Sequence, residues 1–146
     1  MFSELLKYNH CANRIFIEQF DACDQEMPKA EQLFSHILNA QHVWISRINQ
    51  VPSVLAVWDI HPKQKFRQLE EEHYAGFKNI LLESDFMRPV YYKSSVGEFT
   101  NTVSEILFQA FNHATYHRGQ IATIFKTNGI NPPLTDYIFL KHEGRL

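Results

Sequence analysis

Residues 102–128 admit one local structure. Thr102-Val103-Ser104-Glu105 is a capping box, in which a threonine hydroxyl and a glutamate carboxylate satisfy amides that a helix start leaves unpaired. Asn128-Gly129 is a helix stop, and Pro132-Pro133 cannot continue the helix. Between them Val103, Ile106, Ala110, His113, His117, Ile121 and Ile124 recur every three or four residues. At about 100° per residue these positions share one side of a helix. A helix this long must bury its apolar side against other helices, and that requirement fixes the class of fold.

His113 and His117 lie four apart, one turn above the other on a common face. The periodicity points both imidazoles at the core, midway along the apolar stripe. One core histidine needs no special account. Two stacked between apolar neighbours need a joint one, and a metal ion is the most economical. A hydrogen-bonded pair of core histidines is the alternative.

The rest of the chain supplies the partners. A helix is expected over about Ser3–Asp21, with Phe2, Leu5, Leu6, Asn9, Ala12, Phe16 and Phe20 inward. Asn9 interrupts that stripe and Asn13 lies at its edge. A buried amide left unpaired costs roughly 1–3 kcal/mol, so Asn9 is expected to bond a neighbouring helix or to serve the site. A second helix starts near Pro28 and runs to about Asn49. It places Leu33, His36, Ala40, Val43, Trp44 and Arg47 on one face, with His42 opposite and on the surface. Arg47 lies about 16 Å beyond His36 along the axis and reads as a rim residue or as a contact for an anionic substrate group. Residues 50–62 form a linker containing Trp58. A third helix over about Lys63–Glu83 turns Phe66, Leu69, His73, Phe77 and Ile80 inward, and Glu70-Glu71-Glu72 reads as a solvated face. Residues 88–100 change period and read as a short hairpin or extended crossover, Pro89–Lys93 against Gly97–Thr100. The tail from Thr135 to Lys141 can dock as a short helix. The whole of residues 1–146 reads as one all-α domain, a four-helix bundle.

Composition removes several classes of function. A formal net charge of -2 and the lack of any Lys/Arg block argue against a nucleic-acid or anionic-membrane surface. No apolar run reaches 18 residues, so no membrane span is expected. Cys11 and Cys23 make no disulfide framework and have no metal-type spacing. Reduced thiols fit a cytoplasmic protein. There is no His-Glu-x-x-His zinc-protease motif, no nucleophile elbow and no phosphate-binding glycine loop.

Bundles build metal sites from side chains on facing helices. His36, on the apolar face of the second helix, is the best third ligand beside His113 and His117; His73 is a fourth candidate on pattern alone. Three neutral imidazoles suit Zn²⁺, Ni²⁺ or Fe²⁺ and leave a coordination position open, as catalytic rather than structural zinc does. Two hydrogen-bonded core histidines, and a packed His36, remain the alternatives.

Three stretches resemble the DinB/YfiT superfamily of small metal-dependent proteins. They are Tyr8-Asn9-His10-Cys11-Ala12-Asn13; His36-Ile37-Leu38-Asn39-Ala40 with Trp44 and Arg47; and His113-Ala114-Thr115-Tyr116-His117-Arg118-Gly119-Gln120. The last is close to that family's strongest signature. The resemblance implies a four-helix bundle, a divalent metal (zinc or nickel) on His36, His113 and His117, and a homodimer. It leaves His73 outside the ligand set. Arg118 and Gln120 flank the triad face, where Gln120 can orient a ligand or water. Gly119 falls on the back of the helix, where it permits close approach of another helix.

The resemblance further implies an S-transferase or isomerase that uses a low-molecular-weight thiol. The metal would lower the thiol's pKa for attack on a small electrophile, in a pocket between the metal and the end marked by Arg47. Metal-dependent hydrolysis is less favoured, because no carboxylate falls near the triad on these periodicities. A stress-associated metal-binding or dimerising protein without turnover is the reading from another class.

Overall fold

A computed structural model describes residues 1–83 and 85–146. Its long helices are α1 (Phe2–Asp21), α2 (Pro28–Ile48), α3 (Phe66–Glu83) and α4 (Val103–Thr127). A single 3-10 turn, Lys63–Lys65, leads into α3, and α5 (Tyr137–His142) closes the chain. Strands β1 (Pro89–Ser94) and β2 (Gly97–Thr102) pair antiparallel, from Pro89 opposite Thr102 to Ser94 opposite Gly97. The architecture is thus mostly helical with one small hairpin. α1 packs on α3 and α4, and α2 packs on the same two helices, which is compatible with a four-helix bundle. No helix among the described residues is long and apolar enough to cross a membrane.

The local signals act as expected at the ends of α4. The Thr102 hydroxyl accepts from the Glu105 amide at 3.3 Å, and the Glu105 carboxylate accepts from the Thr102 amide at 2.7 Å. Gly129 takes φ +75°, a conformation that only glycine adopts without strain, and lets the Ile130 amide reach the Phe125 carbonyl at 2.9 Å. In α5, Leu140 is buried and Tyr137 sets its ring edge-on to Tyr8, while Leu134 and Ile138 stay exposed.

Two apolar clusters fill the interior. One joins Phe16, Phe20, Phe34, Phe66, Ala114, Ile121 and Phe125, with Phe20 in edge contact with Phe34, Phe66 and Phe125 at 5.2–5.4 Å. The other joins Leu6, Ile48, Phe77, Ile80, Val90, Ile106, Leu107 and Phe111 under the hairpin. Aromatic pairs of this geometry add about 0.5–1.5 kcal/mol each beyond the area they bury.

Between the clusters the helices carry buried polar groups. Arg118 of α4 is 2% exposed and donates to the carboxamide oxygens of Asn9 (2.8 Å) and Asn13 (2.6 Å) and to the Thr115 hydroxyl (2.9 Å). Asn13 passes its amide to Glu70 at 2.8 Å, and His10 Nδ1 meets the other Glu70 oxygen at 3.0 Å. Burial pushes the Glu70 carboxyl up; the His10 and Asn13 bonds oppose that shift. Two expectations are corrected here. Glu70 is not solvated: it is 1% exposed, because it falls four after Phe66 and three before His73 on the inward stripe of α3. Arg118, expected only to flank the triad face, lies at the centre of the buried face, in the series Leu107, Phe111, Ala114, Arg118, Ile121, Phe125. A hydrogen bond to a charged group is worth about 1.5–3 kcal/mol, and Met would strip the charged donor from Asn9, Asn13 and Thr115. Arg118→Met is expected to lower the urea-unfolding free energy by about that amount, and a loss under 1 kcal/mol would contradict the network.

Candidate metal centre

The series just given sets the rotation of α4. With Ala114 and Arg118 deepest, His113 and His117 sit on the shoulder of the helix, half-buried, and face α2. They are therefore not in mid-core, as the apolar spacing predicted. The better-buried His36 comes to them from α2. One nitrogen of each of the three rings lies within 4.8 Å of the others. His113 Nε2 is 3.1 Å from His36 Nε2 and 3.0 Å from His117 Nε2.

The outer nitrogens decide what this cluster can be. His36 Nδ1 is 3.0 Å from the Val57 carbonyl oxygen, and His117 Nδ1 is 2.7 Å from Gln120 Oε1. Oxygen acceptors require both Nδ1 atoms to donate, so in the neutral rings both Nε2 atoms present lone pairs. Both lone pairs aim at His113 Nε2, which carries one hydrogen at most. At least one contact therefore sets lone pair against lone pair at about 3 Å. Hydrogen bonding among the imidazoles cannot satisfy the cluster, and a cation at its centre does. Tetrahedral zinc at 2.0–2.1 Å from each nitrogen needs ligand nitrogens about 3.3 Å apart. The two separations to His113 Nε2, 3.0 and 3.1 Å, are close to that spacing, and the set lies within 4.8 Å.

Protonation agrees with the geometry. Burial, with the neighbouring His117 and His36, pushes His113 down to about 4. Burial also lowers His36, against the pull of the Val57 carbonyl. Both rings are neutral at pH 7, the form that binds metal. The Trp58 ring stacks 3.9 Å from His36 with planes 9° apart, and a cavity of about 340 Å³ reaches Gln120, the partner of His117, but none of the three histidines. That cavity is lined by Lys29, Leu33, Gln120, Thr123 and Ile124.

Other candidate residues fall elsewhere. Asn9 serves Arg118, not the triad. The Arg47 guanidinium lies 4.5 Å from both the Trp44 and Tyr92 rings and donates to the Lys93 carbonyl. Its cavity, about 410 Å³ between α2 and β1, is lined by Val43, Ser46, Gln50 and Tyr91 but by none of the three histidines. This cavity does not reach the triad, as a pocket between the metal and Arg47 would. Gly119 is exposed, with nothing among the described residues within 4 Å of where a Cβ would stand, so no helix approaches it. Cys11 and Cys23 are free and half-buried. His42 is half-buried rather than on the surface, and its Nε2 accepts from the Val54 amide. Val57 and Trp58 had no role in the sequence reading. The one signal was a tryptophan inside an otherwise irregular linker.

His73 is buried, 3% exposed, and stands outside the three-histidine group. Its Nδ1 finds no partner among the described residues, and burial, with His42 and His61 nearby, pushes it down to about 3. A depressed native pKa means that the unfolded chain binds the proton first as pH falls. Stability is then lost from about pH 6.5 downward, through pH 3. Between pH 7 and 5 the parent protein is expected to lose about 1–2 kcal/mol more than His73→Phe in urea unfolding. Equal losses would contradict a buried neutral His73. For Gln120→Leu, which strips the acceptor from His117 Nδ1, zinc affinity by chelator competition should fall about 10–100-fold with helicity unchanged.

The DinB family model matches residues 7–145 of the chain. No curated protein matches it.

Proposed function

The chain belongs to the DinB family, and on that premise we propose that it holds a divalent metal, zinc or nickel, on His36, His113 and His117 and activates a low-molecular-weight thiol for transfer to a small electrophile. The observation that carries the reading is the convergence of three Nε2 atoms of which two must present lone pairs. Bound there, such an ion supplies positive charge that lowers the pKa of a thiol beside it.

The chain's own residues do the rest. Val57 and Gln120 fix the ring orientations, so ligand nitrogens need no rearrangement when the site fills. The half-buried side of His113 and His117 gives a thiol access and lets its proton leave to water. Leu33, one turn before His36, and Gln120, one turn after His117, begin the 340 Å³ cavity where the electrophile would sit, its apolar part on Leu33 and Ile124. The hydrogen-bond partners of the triad among the described residues are a carbonyl, an amide oxygen and one another. Glu70, the buried carboxylate, is committed to His10 and Asn13. A hydrolase needs a base beside the nucleophilic water, and the triad has none among its partners. A thiol that ionises at neutral pH needs none. A homodimer and a cytoplasmic location belong to the same proposal, the latter supported by the free Cys11 and Cys23.

The test begins with elemental analysis of tag-free protein, as purified and after incubation with Zn²⁺ or Ni²⁺. Near one equivalent is expected, lost in His36→Ala and His113→Ala. The metal-loaded protein is then assayed with cysteine-type thiols and a chromogenic aryl halide. Thiol-dependent turnover that a chelator abolishes is expected. Metal binding without turnover would leave a non-catalytic metal protein, and no binding would overturn the site. Sedimentation equilibrium near twice the 17.2 kDa chain mass would bear out the dimer.

A further inference from the structure

The triad contains two histidines from one helix, whose spacing α4 guarantees, and a third from α2. His36 is held on its far side by a segment with no regular structure, residues 51–61. Its tautomer depends on the Val57 carbonyl, and its exposed face is covered by Trp58. What holds that segment therefore holds the third ligand.

We propose that Asn39 is the positioning residue of the metal centre. The proposal rests on the reading of the triad as a metal site. Asn39 lies one turn after His36 on α2 and is 0% exposed. Its whole carboxamide is spent on the 51–61 segment. Nδ2 donates to the Asp59 carbonyl at 2.7 Å and lies 3.4 Å from the Val57 carbonyl. Oδ1 is 2.7 Å from His61 Nε2. Because Nδ2 faces carbonyls, Oδ1 is the acceptor, and His61 Nε2 carries the hydrogen. One side chain thus fixes residues 57, 59 and 61 at once. Further bonds brace the segment: the Ser35 hydroxyl accepts the His61 amide at 3.1 Å, and the Asp59 carboxylate accepts the Ala56 amide at 2.8 Å. Neither of these reaches Val57. Asn39 is the buried side chain that ties the Val57 carbonyl, which His36 uses, to the helix that carries His36.

Asn39→Asp separates positioning from packing. The volume is kept, but a carboxylate would face the Val57 and Asp59 carbonyls with no hydrogen to donate. Parent, Asn39→Asp and His36→Ala proteins are compared by zinc Kd from chelator competition, by the visible spectrum of bound Co²⁺, and by helical circular dichroism. Zinc affinity in Asn39→Asp is expected to fall about 10–100-fold, as for other partners that orient metal ligands, with a changed Co²⁺ spectrum and retained helicity. A lower melting temperature with unchanged Kd and Co²⁺ spectrum would overturn the proposal and leave Asn39 a packing residue. A parent protein that binds neither ion would overturn the metal reading itself, and this proposal with it. If Asn39→Asp loses its helicity, His61→Phe decides, since it removes the grip on Oδ1 from the segment's side. A several-fold weaker Kd supports the proposal, and an unchanged Kd overturns it.

Discussion

The burial of Arg118 fixes the rest of the molecule. A guanidinium removed from water is costly unless its hydrogens and its charge are met. Asn9 and Asn13 accept from Nη1 and Thr115 from Nη2, Nε has no partner among the described residues, and Glu70 stands behind Asn13 as the opposite charge. These partners come from α1, α3 and α4, so they form one arrangement only when the three helices are in register. Turning α4 by one residue, about 100°, would expose Arg118 and carry His117 inward. The apolar clusters on either side would tolerate small adjustments. The charged layer would not, because an uncompensated buried charge is far more costly than a shifted methyl group.

That rotation makes the histidines useful. On the shoulder of α4, His113 and His117 meet His36 across the α2–α4 contact while keeping one side open. In mid-core they would be sealed by apolar neighbours, and no small molecule could reach them. The half-buried position still removes enough water to keep His113 neutral far below pH 7. Access and neutrality are competing demands on an imidazole cluster, and a shoulder position meets both.

Periodicity and caps made four helices and the hairpin legible, with ends within about three residues (α3 begins at Phe66, after a 3-10 turn where the helix was expected to start), because those signals depend on local steric and hydrogen-bonding rules. The three histidines were legible for the same reason: four-residue spacing fixes a face. What the sequence hid was the role of charge. Leu107, Phe111, Ala114, Arg118, Ile121 and Phe125 repeat as regularly as the series through His113 and His117. A reading that scores apolar residues passes over the series that contains an arginine. Glu70 was hidden likewise among Glu71 and Glu72. Val57 could not be found at all. A backbone carbonyl carries no residue type, and its use depends on where an irregular segment is tied down.

The partners of the triad also bear on which chemistry it can support. Carboxylates behind metal-bound histidines raise ligand basicity and offset part of the ion's charge. Here the outer nitrogens of His36 and His117 meet a peptide carbonyl and a carboxamide, both neutral. An ion held by three neutral imidazoles with neutral partners would keep nearly its whole charge, and the adjoining cavity, with Lys29 at its edge, adds no anion. A site of that charge stabilises an anionic fourth ligand over a neutral one. The neutral surroundings of the triad thus set the charge that a fourth ligand would carry, a demand that a thiolate and a hydroxide both meet.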